Sequence, residues 1–143
     1  MKKIFLIILI GIGVISTISY IYLTNVANYN NAQKENIKLE SYKDQEITGS
    51  ELVTVINFAI DLNSKNNVEK DNKGKYIDNN ENSINIDIKF LDNDTTYNIE
   101  KIYDSGTSSF ISYYRDIKFK CTKIEYHENT KKVKYMLFEQ TTQ

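Results

Sequence analysis

Residues 48–60 read TGSELVTVINFAI. Thr48 and Glu51 stand at capping-box spacing, in which a hydroxyl and a carboxylate satisfy the free N–H groups of a first helical turn. Leu52, Val55, Ile56, Ala59 and Ile60 then recur at the 3.6-residue period. The pattern predicts a helix from about Gly49 to Asn63 that lays this stripe on a core. Downstream, Ile84, Ile86, Ile88 and Phe90 alternate with Asn85, Asp87 and Lys89. A period of two is a half-buried strand, and Asp92-Asn93-Asp94 ends it in a turn. The intervening residues, Ser64 to Ser83, are almost wholly polar and predict a long loop or an irregular hairpin around Tyr76-Ile77.

Further along, Tyr97 to Asp104 reads as a short helix with Ile99, Ile102 and Tyr103 on one side. Ser105-Gly106 interrupts it. Ser108 to Tyr114 reads as another, with Phe110, Ile111 and Tyr114 inward. Ile117, Phe119 and Cys121 alternate, but Ile124 and Tyr126 resume out of phase, so one extra residue near Thr122 predicts a β-bulge. After a turn at His127–Lys131, Val133, Tyr135 and Leu137 predict a return strand. The expected fold class is α+β: an antiparallel sheet of about three strands with two or three helices on one face, over residues 47–143.

Working upstream, residues 24–46 are polar with scattered apolar positions at Val26, Ile37, Leu39 and Tyr42, and read as a helical stalk or a disordered tether. Before them, residues 4–23 read IFLIILIGIGVISTISYIYL without a charge. Such a run spans roughly 30 Å as a helix, the thickness of a hydrocarbon core. Ser16, Thr17 and Ser19 can bond back to carbonyls, and Tyr20 and Tyr22 suit the interface. Lys2, Lys3 and the amino terminus flank one end, whereas Thr24 to Gln33 carry no charge. The positive-inside rule predicts a cytoplasmic stub at residues 1–3, one transmembrane helix, and a C-terminal portion outside the cell membrane. The competing expectation is a cleaved signal peptide, which wants a shorter apolar core and a better small-residue site than Thr17-Ile18-Ser19. Gly13 and Thr17 form a small-xxx-small pair able to bring two spans together.

Composition narrows the function. The 143 residues carry a net charge of −1, and 17 of the 18 basic residues are Lys. Lys, Asn and Ile are written by AT-rich codons, which points to an AT-rich bacterial genome. Cys121 and His127 are the only residues of their kinds, so intramolecular disulfides and Cys/His zinc clusters are excluded. On one strand they would lie about 20 Å apart, too far for a thiolate–imidazolium pair. Cys121 therefore reads as a core residue and His127 as a solvated turn residue. Asp92, Asp94, Thr96 and Glu100 resemble part of a calcium loop, but its sixth and twelfth positions are Tyr97 and Tyr103 where Gly and Glu are needed. No phosphate-cradling Gly loop, nucleophile elbow or isolated carboxylate pair stands out. The expectation is a chain with no catalytic residues, no metal and no cofactor.

Charge is unevenly spread. Residues 35–104 hold 15 acids against eight Lys, a net of −7, whereas residues 115–134 hold Arg115 and six Lys against three acids, a net of +4. Lys118, Lys120, Lys123, Lys132 and Lys134 could combine across a hairpin into a cationic patch for lipid headgroups, an anionic wall polymer or an acidic protein. The alternative is the solvated face of a hairpin with Lys guarding its edge. An isoelectric point near 5.9 and the expected external location speak against nucleic acid.

The segments ITGSELVTVINFAI, FKCTKIEYH and KVKYMLFEQ resemble a group of small single-span proteins of low-GC Gram-positive anaerobes, over residues 47–140. Some members accompany tight-adherence-type pilus systems. The resemblance brings no catalytic motif and implies an envelope role. The expected function is a membrane-anchored, extracytoplasmic interaction or structural module. Its partners would be the lipid bilayer and an envelope protein. The alternative is a minor pilin-like or secretion-apparatus subunit, although the apolar run contains no acid and begins at Ile4 with no leader ahead of it.

Overall fold

The structure, a computed structural model, describes residues 2–92 and 95–141. The expectations placed on Met1, Asn93, Asp94 and the last two residues lie outside it. The chain divides into two units, 1–34 and 35–143.

The first unit is the apolar part of helix α1, Lys2–Glu40. Its most apolar 18-residue window has a mean hydropathy of 2.6, and none of that window is buried. The hydroxyls of Ser16, Thr17 and Thr24 donate to the carbonyls of Ile12, Gly13 and Tyr20, each at 2.8 Å. The polar side chains thus consume their own hydrogen-bonding capacity along the helix.

The second unit takes in the last turns of α1 as well as everything beyond, so the compact domain begins at Glu35, ahead of the boundary expected at residue 47. Two features account for this. Leu39 is fully enclosed in the core. Asn36 closes a two-way clasp, donating to the Lys131 carbonyl at 2.7 Å and accepting from the Val133 amide at 2.9 Å.

The elements that follow are β1 (Glu46–Thr48), α2 (Gly49–Lys65), β2 (Asn85–Lys89), β3 (Thr96–Asn98), α3 (Ile99–Asp104), α4 (Thr107–Tyr114), β4 (Lys118–Tyr126) and β5 (Val133–Gln140). The strands form one sheet in the order β1-β4-β5-β2-β3. The pairing of β2 with β5 is parallel and the others are antiparallel. The sheet is therefore five-stranded and mixed, where about three antiparallel strands were expected. The two extra strands have three residues each, too few to show a period of two. The parallel pair joins elements separated by β3, α3, α4 and β4, a crossover that no local pattern encodes.

The α2 stripe behaves as its spacing predicts. Leu52, Val55, Ile56 and Ala59 are at most 1 % exposed. The capping box is complete, with the Glu51 amide donating to Thr48 Oγ1 and the Thr48 amide donating to Glu51 Oε2. Gly49 permits a close approach: a Cβ there would lie 1.9 Å from the carbonyl oxygen of Tyr114. At the other end, the Asn63 side chain mimics a backbone strand, donating to the Ile84 carbonyl and accepting from the Ile84 amide, both at 2.8 Å. This satisfies a buried amide with a buried backbone. Beneath α2 the sheet contributes Ile47, Phe119, Cys121, Ile86, Ile88, Met136 and Phe138. Phe90 gathers the rings of Tyr97, Phe110, Tyr114 and Phe119, with centroids 4.9–6.3 Å away.

The bulge expected near Thr122 is present, as a register shift between Cys121 and Lys123. A second shift was not expected. Tyr126 faces Val133 and Glu125 faces Tyr135, so Lys134 is the extra residue. It rotates β5 by one position, and Met136 and Phe138 point inward in place of Tyr135 and Leu137. The helix expected from Tyr97 starts two residues later, because Asn98 ends β3 and caps α3, its side chain accepting from the Lys101 amide at 3.0 Å. Tyr103, expected on the inner side, is 48 % exposed.

Candidate functional site

The helices cover one face of the sheet and leave the other open. On the open face the register lines up Glu46, Lys120, Glu139 and Lys89 across β1, β4, β5 and β2. Opposite charges alternate along this row, and Lys89 Nζ lies 3.9 Å from Glu139 Oε1. In the next rows Lys123 faces Leu137, which faces Asp87. Lys123 Nζ is 2.6 Å from Glu125 and hangs 5.8 Å over the Tyr135 ring. The Tyr135 hydroxyl donates to Asp87 at 3.1 Å. Burial, and then the Asp87 charge, push that phenol up to about 12.

The five lysines singled out in the sequence are thus distributed over two places. Lys118, Lys120 and Lys123 share the open face of β4, where Lys118 lies opposite Thr48. Lys132 and Lys134 sit by the hairpin end. Lys132 Nζ is 3.3 Å from Glu35, whose other oxygen takes Lys65 at 3.2 Å. Lys134 Nζ is 2.6 Å from Asp78. Hydrogen bonding from Lys134 is the largest of the effects that draw the Asp78 carboxyl down to about 2. Two of the five, Lys132 and Lys134, are met by carboxylates of the acidic stretch, Glu35 and Asp78, whereas Glu46 accepts from the Thr141 hydroxyl and Asp87 from that of Tyr135. At the hairpin end, segregation along the chain becomes pairing in space. Exposed ion pairs of this kind stabilise weakly but fix which surfaces meet.

Cys121 is fully buried, as its place in the alternation predicts, and burial raises its thiol to about 11. It is a core side chain with no thiolate character. His127 corrects the sequence reading. It is 2 % exposed, and its Nε2 lies 2.8 Å from the Ser83 carbonyl. That carbonyl can only accept, so Nε2 carries the proton, while Nδ1 has no protein partner. The reason is tertiary: the loop at 78–83 folds over the hairpin turn and covers the ring. Asp78, Glu81 and Ser83 of that loop bond to Lys134, Thr130 and His127 respectively. The buried Glu100 likewise has one oxygen accepting from the Tyr76 amide at 2.8 Å and one without a partner. Among the described residues, no three of His, Cys, Asp and Glu come together as a metal set. Of the calcium-like residues, Asp94 falls outside the described chain and Glu100 turns into the core.

One feature of the surface was missed from sequence. Between α3 and α4 lies an apolar hollow of about 140 Å³, floored by Ile102 and Phe110 and walled by Tyr97, Tyr113 and Tyr114. The signal was the Tyr113-Tyr114 pair. Tyr114 lies one helical turn from Phe110 and shares its inward stripe, whereas Tyr113 falls outside that stripe and faces outward. Set beside known protein families, curated proteins and solved structures, the chain matches none of them.

Proposed function

We propose that the chain is a single-span protein of a bacterial membrane, and that its 35–143 domain is a non-catalytic interaction or structural module held on the outer face. The observation that carries this reading is the N-terminal helix, whose 18-residue window of mean hydropathy 2.6 is wholly unburied. A soluble core helix hides such a surface. A helix whose backbone groups are all bonded internally is instead suited to hydrocarbon. Lys2 and Lys3 at one end, against an uncharged stretch at 24–33, support the outward orientation of the domain. The sheet face that the helices leave open, with its row of alternating charges, supports a role in contacts with another envelope component.

The test is the intact mass of the protein from carbonate-washed membranes, combined with protease treatment of intact cells. A full-length mass, with the domain digested from outside, is the expected result. A mass lacking the first 15–25 residues or so would mean a cleaved signal segment and a secreted domain. Recovery in the soluble fraction at full length would remove the anchor.

A further inference from the structure

The open face of the sheet carries a charged row, with Glu46 on β1, Lys120 on β4, Glu139 on β5 and Lys89 on β2, each the register partner of the next. Their chain neighbours Ile47, Phe119, Cys121, Phe138 and Ile88 are buried beneath the helices, so the four charged side chains stand on the open side. Adjacent strands lie about 4.8 Å apart, which spaces the four positions evenly over roughly 14 Å. The order is acid, base, acid, base. Read backwards it is base, acid, base, acid, so the row is the complement of its own reverse.

A two-fold axis parallel to the strands, midway between β4 and β5, reverses the row and lays it face to face with its copy. Glu46 then meets the copy's Lys89, and Lys120 meets the copy's Glu139, each contact occurring twice by symmetry. The other rows accept the same axis. Lys118, Lys123 and Glu125 meet Thr141, Leu137 and Tyr135 of the copy, so no row sets like charges opposite each other. Other axes do worse. One through the row itself puts each charge on its own counterpart. One centred on β5 sets Lys120 against Lys89 and Glu139 against Glu139, and one between β5 and β2 keeps the Glu139–Lys89 contacts alone. The shape fits as well. Two copies of one twisted sheet nest when such an axis aligns their strands, as in aligned sheet packing about 10 Å apart, a gap that Lys and Glu side chains bridge. Within one chain Lys89 and Glu139 approach to 3.9 Å with side chains 41 % and 38 % exposed, so the carboxylate has room for a second cation. We infer that the open face pairs with the same face of a second copy, with the Glu46–Lys89 and Lys120–Glu139 contacts fixing its orientation. This deepens the reading of that face as a contact surface and rests on it: the component it meets is a second copy of the chain.

Sedimentation of the full chain in density-matched detergent tests it. The wild-type chain is expected to be a reversible dimer at about 0.05 M salt and to dissociate at about 0.5 M, where ions screen the pairs. Lys120→Glu sets an acid against the copy's Glu139, and Glu139→Lys sets a base against the copy's Lys120. Each is expected to raise the dissociation constant about tenfold or more. The double variant Lys120→Glu with Glu139→Lys reads acid, acid, base, base, which is again the complement of its reverse, and is expected to restore the dimer. Circular dichroism and denaturant midpoints report the folding of each variant. Lys120→Gln and Glu139→Gln remove a charge without reversing it, and weaken the dimer in the same direction where a reversal unfolds the domain. A monomeric wild-type chain at low salt would overturn the inference. Dimers indifferent to salt and to both reversals would overturn it too, placing association elsewhere, as at Gly13 and Thr17 of α1. So would a folded double variant that stays monomeric. Membrane fractionation and intact mass read the anchor on the same preparations, so a missing dimer in an anchored, full-length chain counts against this inference alone.

Discussion

Helices α1 and α2 are both rich in aliphatic residues, yet they face different surroundings. In α2 the apolar residues keep to one stripe, and Leu52, Val55, Ile56 and Ala59 vanish into the domain core while Glu51, Thr54 and Asp61 stay outside. In α1, residues 4–23 are apolar all round, and every one of them is exposed. The difference lies in arrangement more than in hydrophobicity. A stripe can be satisfied by one sheet, whereas a cylinder needs a solvent that is apolar on every side. The same aliphatic side chain should therefore stabilise the domain in one helix and leave it untouched in the other.

Removing equivalent side chains from each breaks the comparison most sharply. Ile56→Ala, at a fully enclosed position of α2, is expected to cost about 3–4 kcal/mol of domain stability, through lost transfer energy and a cavity. Ile12→Ala, at a position 61 % exposed in α1, is expected to change it by less than about 0.5 kcal/mol. Denaturant unfolding in detergent, followed by near-ultraviolet circular dichroism of the domain tyrosines, reads both. Equal losses would refute the separation.

A smaller effect sharpens how α2 begins. Thr48 links β1 to α2 and accepts from the Glu51 amide at 3.2 Å. Thr48→Ala removes one half of the capping box and is expected to cost about 1 kcal/mol, while Thr48→Ser should retain most of it. The same unfolding midpoints measure this. A loss for Ser as large as for Ala would shift the role from the hydroxyl to the methyl group.

The smallest effect concerns the loop that covers His127. The folded Asp78 carboxyl is drawn from its ordinary 3.8 to about 2, chiefly by Lys134. A lowered folded value means that the ionised form stabilises the fold above about pH 4, and that this contribution disappears as the pH falls toward 2. With a side chain 36 % exposed, solvent screening reduces the contribution to about 1 kcal/mol or less. Lys134→Met should lower stability at neutral pH by that amount and flatten its decline between pH 4 and 2. An unchanged acid limb would mean that other carboxylates set it.

Much of this fold could be read without coordinates, because much of it is periodic. The α2 stripe, the Ile84–Phe90 alternation and the phase break near Thr122 each follow from side-chain direction along a regular backbone. The edge strands could not be read, since three residues such as Glu46–Thr48 carry no period. Nor could the bulge at Lys134, whose only trace is that Val133 and Met136, three apart, are both buried. His127 was misread for a related reason: a polar residue at a turn is solvated unless another segment folds over it, and the covering loop lies 44 residues earlier.

The sequence by itself determined that the N-terminal run is long and apolar enough to cross a bilayer, that a capped helix precedes a strand, and that Cys121 belongs inside. These are local consequences of composition and spacing. Tertiary structure decided the parallel pairing of β2 with β5, the burial of His127, the pairing of Lys132 and Lys134 with distant carboxylates, and the hollow beside Tyr113. Each of these depends on which segments meet, and that is set by the packing of the whole core, which no single stretch of the chain contains.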